Sequence, residues 1–181
     1  MSGGRGSLLF SGPLRDDAVD ACLDGELREL LCLCFSDECF RRGRYCKEAP
    51  QHRWLVRDEG KLVAHCALHE KRVRVEGEFF AVGGLSEVCV HPGYRGRGLV
   101  REMVAEVADW SQERGFSFLL LFGAEAVYRS SGFVAVKNLC SEIVRENGEV
   151  VCGATTAGMV LPLRGTRWFE GGSVYLIGQG F

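Results

Sequence analysis

The stretch Glu87–Val100, EVCVHPGYRGRGLV, constrains this chain more than any other. A strand-like apolar run enters a loop carrying Pro92, Gly93, Gly96 and Gly98. The loop passes directly into a helical pattern over 99–114. There Leu99, Val100, Met103, Val104, Val107 and Ala108 share one face, and Arg101, Glu102, Glu106, Asp109 and Glu113 take the other. Gly115 suits the C-cap of that helix. Gly96 and Gly98 have no Cβ, so their backbone can approach a ligand closely. The first amides of a helix have no acceptor within it, and the helix dipole favours an anion there. Arg95 and Arg97 add positive charge. The segment reads as a pyrophosphate cradle. It has neither the glycine and lysine spacing of a P-loop nor the G-x-G-x-x-G of a dinucleotide fold.

The rest of the chain supplies what such a unit packs against. Residues 16–35 have helical periodicity with an acidic face, and Ser36 to Cys46 reads as a second helix. His52–Asp58 and Lys61–Val75 flank Glu59-Gly60 as a hairpin, and Glu76-Gly77-Glu78 forms the next turn. Phe79–Val90 is the following strand, with Gly83-Gly84 as the expected bulge or weak point. Phe116–Phe122 is almost wholly apolar, as for a strand buried on both faces. A short helix over Glu125–Ser130, a hairpin about Asn147-Gly148 and a short strand over Val174–Ile177 complete the pattern. This order predicts one α/β domain over residues 1–181, with a mixed sheet and helices on both faces.

Bulk properties narrow the function. The 181 residues suit one domain. A net charge of −2 argues against nucleic acid as a partner, which needs an excess of Lys and Arg. The sequence has no apolar run long enough to span a membrane, and the Leu8–Phe10 patch does not make a signal peptide. The nine cysteines form no C-x-x-C pair, so they read as reduced, mostly buried thiols of a cytoplasmic protein. His65 and His69 lie in a strand, where a spacing of four does not imitate a helical metal pair; no metal is expected.

The string V-x-P-x-Y-R-G-R-G-L over Val90–Leu99 resembles the coenzyme A loop of the GNAT acyltransferase superfamily, [RQ]-x-x-G-x-[GA]. Arg95 and Gly98 match, and Val100 departs where the family has Gly or Ala. Tyr128-Arg129-Ser130-Ser131-Gly132-Phe133 resembles the family's Y-x-x-x-G-F segment. Shorter similarities, Val63-Ala64-His65 and the tail Trp168-Phe169-Glu170-Gly171-Gly172-Ser173-Val174, look like aminoglycoside 2′-N-acetyltransferases and nodulation-type N-acyltransferases.

The resemblance implies a GNAT fold: a mostly antiparallel sheet, splayed at the acyl-CoA site between the strand ending at Val90 and Phe116–Phe122. It implies acetyl-CoA as co-substrate, with its diphosphate on Arg95, Gly96, Arg97, Gly98, Leu99 and Val100. The pantetheine arm would run along the backbone of Val88, Cys89 and Val90. Tyr128 matches the tyrosine that protonates the departing thiolate; a phenol, with an ordinary pKa of about 10, holds its proton at neutral pH. Glu87 is the candidate base, directly or through water, because a carboxylate in an apolar strand is costly unless paired or at a cleft. The aminoglycoside-type enzymes carry their Glu at the position of Ser86, however, and a one-residue offset reverses the face of a regular strand. His91 is a further candidate.

The leading reading is acetyl transfer to a primary amine of a small molecule, with an aminoglycoside-like antibiotic as one option. Residues 16–38, with eight acidic residues and one basic, would suit a polycationic acceptor. Two alternatives stay open: an N-acyltransferase taking longer chains from CoA or acyl carrier protein, and a non-catalytic CoA-binding regulatory domain. The apolar tail from Trp168 to Phe181 is expected to dock, with Trp168, Tyr175 and Phe181 supplying buried area and the Phe181 carboxylate near the acceptor. Its other reading is closure of a sheet edge or contact with a second subunit of a homodimer.

Overall fold

The computed structural model describes residues 8–153, 158–178, 180 and 181. The packing divides into two units, Met1–Leu68 with Glu87–Met103, and His69–Ser86 with Val104–Phe181. Ten strands are described: β1 Leu9–Arg15, β2 His52–Asp58, β3 Lys61–Val75, β4 Glu78–Val90, β5 Phe118–Phe122, β6 Val134–Val136, β7 Leu139–Val144, β8 Val150–Cys152, β9 Gly158–Pro162 and β10 Val174–Leu176. The helices are α1 Ala21–Cys34, α2 Leu99–Glu113 and the single turn α3 Glu125–Tyr128. The fold is mixed α/β with a mostly antiparallel open sheet.

In the first unit, β1 pairs with β2 and β2 with the first half of β3, all antiparallel. Asp20 caps α1 by accepting from the Leu23 amide at 2.8 Å. The helix buries Leu27, Leu30 and Leu31 against Phe40, Leu55, Leu62 and Cys89. β1 was not legible as a strand, because Gly12 and Pro13 interrupt its alternation and its register shifts between Ser11 and Leu14. The helix expected from Ser36 to Cys46 is only a 3-10 turn, Glu38–Arg41. Gly43 follows soon after, and Cys39 and Cys46 are joined by a disulfide. That bridge corrects the reading of uniformly reduced, buried thiols; Cys140 is also disulfide-bonded, and Cys22 and Cys32 are exposed.

In the second unit the strand order is β6-β9-β5-β4-β3-β10-β7-β8. β4 and β5 run parallel in register from Val82 opposite Phe118 to Leu85 opposite Leu121. Both core faces of β5 are filled, as its apolar run requires: Phe118 and Leu120 join Val73, Val82, Val160 and Val174, and Leu119 and Leu121 are equally buried. Gly83-Gly84 is not a bulge but regular ladder. Gly84 is instead a close-approach position, because a Cβ there would lie 2.4 Å from the Phe181 ring.

The tail docks. Asn138 anchors it by donating to the Phe169 and Gly172 carbonyls and accepting from Trp168 Nε1 at 2.8 Å. β10 does not close an edge: it lies antiparallel to β3 on one side and parallel to β7 on the other. Trp168, Tyr175 and Phe181 are all half-buried. Gln179 and residues 1–7 lie outside the described residues.

Candidate active site

The loop after β4 belongs to the first unit. His91 donates its amide to the Val63 carbonyl at 2.8 Å, and its Nδ1 accepts from the Gly93 amide at 3.1 Å. That is a loop-shaping role. Pro92–Tyr94 makes one 3-10 turn, and the Tyr94 hydroxyl donates to Asp58 at 2.7 Å. Gly96 and Gly98 follow at φ +76° and +83°, a region costly for residues with a Cβ. A Cβ at Gly96 would meet nothing within 4 Å, and one at Gly98 would stay 3.8 Å from its neighbours. The glycines therefore serve conformation and open space rather than internal packing. Leu99 is buried as the first residue of α2, while Val100 is half-buried.

The two loop arginines are folded back on the loop. Arg95 Nε donates to the Val90 carbonyl at 3.3 Å. Arg97 donates to the Gly93 carbonyl at 3.1 Å and lies 4.5 Å over the Tyr94 ring. The Val90 carbonyl also accepts from Cys34 Sγ at 3.4 Å. Hydrogen bonding to Cys89, and then the Arg95 guanidinium, bring the Cys34 thiol down to about 7, while the same contact and burial push Cys89 well up. The Cys89 side chain is buried with the α1 core, and Val88 is half-buried.

Glu87 is not a regular strand residue. Its φ is +53°, so the simple alternation that separates it from Ser86 does not hold. Its carboxylate is 9% exposed and lies 3.3 Å from Arg53 Nη1. Burial pushes the carboxyl up to about 7 from an ordinary 4.5, and Arg53 limits the rise. Ser86 hydrogen-bonds to His69 Nε2 at 2.9 Å.

Residues that sequence reasoning did not single out surround Glu87. Arg53 on β2 is fully buried. It meets Asp16 at 2.6 Å, His65 Nε2 at 2.9 Å and the Arg44 carbonyl at 3.3 Å. Arg44 in turn bridges Asp16 and Asp24 at 2.7 and 2.8 Å. The only signal was an arginine placed directly before the apolar run Trp54–Val56 in HRWLVRD. These pairings bear on the acidic stretch: Asp16, Asp17, Asp24 and Glu26, four of its eight acidic residues, are paired with arginines.

Tyr128 lies in the second unit, at the end of α3. Its ring sits over Gly123, where a Cβ would come within 2.6 Å of Cε2. It meets Phe133 edge-on at 6.0 Å. Gly132, at φ +90°, turns the chain back beneath it.

Residues 26–136 match the family model described as acetyltransferase (GNAT) domain. The chain belongs to the GNAT acetyltransferase family. Membership of that family supports an acyltransferase. It is 34% identical over 76 residues to the uncharacterized N-acetyltransferase YhbS of Escherichia coli, a match covering 42% of this chain and 44% of that protein. The chain thus spans less than half the length of the curated relatives it matches. Among solved structures, E. coli YhbS in complex with CoA superposes with a TM-score of 0.59 at 21% identity, over 97% of this chain and 91% of that one. An acyl-CoA N-acyltransferase from Pseudomonas aeruginosa gives 0.57 at 18% identity, over 86% and 99%. Among the described residues no helix is long and apolar enough to cross a membrane.

Proposed function

We propose that this chain transfers the acetyl group of acetyl-CoA to a primary amine of a small molecule, in the cytoplasm. The observation that carries the reading is the loop from Val90 to Val100, whose two positive-φ glycines turn the backbone directly into α2. The open space at Gly96 and Gly98 is what a diphosphate needs against the amides of residues 95–100. The solved relative that carries CoA supports the same donor. Val88, Cys89 and Val90 would contribute backbone only, since the Cys89 side chain is committed to the core.

In this mechanism Glu87 takes a proton from the incoming ammonium, directly or through water. A carboxyl near 7 is matched to that task, being substantially ionised at neutral pH yet basic enough to accept a proton. The neutral amine attacks the thioester carbonyl and the carbon–sulfur bond breaks. Tyr128 gives its proton to the leaving thiolate and is reprotonated by the second proton that the new amide nitrogen sheds, and holding the two substrates together supplies much of the acceleration. The acceptor class is a small primary amine, with an aminoglycoside-like polycation as one candidate, although several carboxylates near α1 already hold arginines.

The test is thiol release from acetyl-CoA across a panel of small amines, aminoglycosides included, with peptide N-termini and longer acyl-CoAs alongside. Amine-dependent release with small amines and acetyl-CoA is the expected result. Turnover confined to peptides or to long-chain donors would overturn the assignment.

A further inference from the structure

Two residues meet Glu87 directly, and their donor and acceptor chemistry admits one arrangement. Arg53 has only donors, and its Nη1 lies 2.9 Å from His65 Nε2. The Glu87 carbonyl can only accept, and it lies 3.0 Å from His65 Nδ1. His65 must therefore accept at Nε2 and donate from Nδ1, which makes it neutral. Complete burial and the neighbouring Arg53 charge enforce this, holding the imidazole down to about 3. Arg53 is itself fixed from the opposite side by Asp16 at 2.6 Å. Burial opposes ionisation of Asp16, but hydrogen bonds from Arg44 and Arg53 outweigh it and keep the carboxyl below its usual range.

We infer that Arg53 and His65 are positioning residues for Glu87, the first holding its carboxylate and the second holding the inverted backbone beneath it. This rests on the reading of Glu87 as proton acceptor. A glutamate at φ +53° has left the strand conformation, which strains the backbone. The His65 bond to its carbonyl offsets that strain and fixes where the side chain leaves the strand. Arg53 then meets the carboxylate, while Asp16 takes up part of the arginine's charge so that the pair does not lock Glu87 in its ionised form. The groups that face Glu87 are Arg53 from β2, His65 and Cys66 from β3, Cys89 from β4, Asp16 ahead of α1, and Arg44.

The experiment is a titration of the intact protein with ¹³C-labelled glutamate side chains, the Glu87 signal being assigned by its loss in Glu87→Gln. In the parent protein the midpoint is expected at about 7. Arg53→Met should raise it by about one unit or more, the usual effect of removing an adjacent opposite charge. Asp16→Asn should move it the other way, and Arg53→Lys should restore most of the parent value. Thiol release with the best amine should show an acid limb that follows each midpoint. His65→Leu should lower kcat with little change in the acetyl-CoA KM, and His65→Asn, whose amide can still donate to the Glu87 carbonyl, should recover it. Should Arg53→Met not fold, the Asp16 and His65 variants decide. Midpoints unmoved in the folded variants, or His65→Asn no better than His65→Leu, would overturn the inference. Full turnover by Glu87→Gln would instead remove the base reading, while the shifts in midpoint stood.

Discussion

The Arg53 guanidinium, fully buried, lies 3.3 Å from the Glu87 carboxylate and 2.6 Å from that of Asp16. One cation shared by two carboxylates, one of them held below its usual range and the other pushed above it, is an arrangement for tuning a proton. It also makes the site's response to pH specific.

Glu87→Gln should lower turnover by roughly 10²–10⁴-fold, the range for loss of a general base. The parent rate should rise with pH through about 7 and then level, as the carboxyl ionises. Stability runs the other way. A carboxyl raised from 4.5 to about 7 on folding binds its proton more tightly in the native state. Between those values the unfolded chain holds fewer protons, so stability falls as pH rises. Melting curves from pH 4.5 to 8 should show Glu87→Gln gaining on the parent as pH rises; a constant difference would contradict the raised value.

Gly98→Asp should abolish acetyl-CoA binding. It forces a side chain into φ +83° and sets a carboxylate where the diphosphate is proposed to rest. Gly98→Ala, with open space around its Cβ, carries only the backbone cost of about 1 kcal/mol and should bind more weakly but measurably. Calorimetry that finds parent-like affinity in the Asp variant would exclude the loop from donor binding.

Tyr128→Phe keeps the ring over Gly123 and edge-on to Phe133, so the variant should fold and bind acetyl-CoA like the parent. Turnover should drop by roughly 10²–10⁴-fold when thiolate departure limits the rate. Undiminished turnover under conditions where chemistry is rate-limiting would deny Tyr128 the acid role.

Gly84→Ala places a methyl group 2.4 Å from the Phe181 ring. Overpacking of this kind costs about 1–3 kcal/mol, read as a lower denaturation midpoint. Phe181 also meets His69 at 5.6 Å and Phe122 at 5.3 Å, so Phe181→Ala alone should destabilise as well. The double variant should be less damaged than the sum of the two. Simple additivity would show that the ring does not rest on Gly84 in solution.

Cys34 should alkylate with a midpoint near pH 7, well ahead of the buried Cys89. Arg95→Gln should move that midpoint upward, since the guanidinium favours the thiolate. Iodoacetamide labelling followed by peptide mass analysis reads both, and equal labelling of the two thiols would reject the assigned environment.

Elements with clean periodicity were legible in the sequence. The hairpin at Glu59-Gly60 and the helix beginning at Leu99 stand within a residue of expectation, because alternation and a glycine loop are local signals. β6 and β9 were missed, being short strands whose identity comes from pairing with each other and with β5. At the site, Glu87 and the loop could be read from local pattern. Arg53, Asp16 and His65 could not be joined to Glu87, because each comes from a different segment and only the paired strands bring them together. Local sequence also gave no warning that Gly84 serves Phe181, nearly a hundred positions later.

The placement of β10 between β3 and β7 bears on how the chain is made. A strand that follows β7, β8 and β9 in sequence fills a gap between strands already synthesised. Until residues 174–176 leave the ribosome, the edges of β3 and β7 that face the gap have no partner, and unpaired edges invite association between chains. The long sequence separation also makes this closure slow relative to the hairpins. Newly made protein would therefore depend most on chaperones in the interval just before β10 arrives, and amino-acid changes at Asn138 and Trp168, whose hydrogen bond anchors the tail ahead of that strand, would be felt in yield before they were felt in activity.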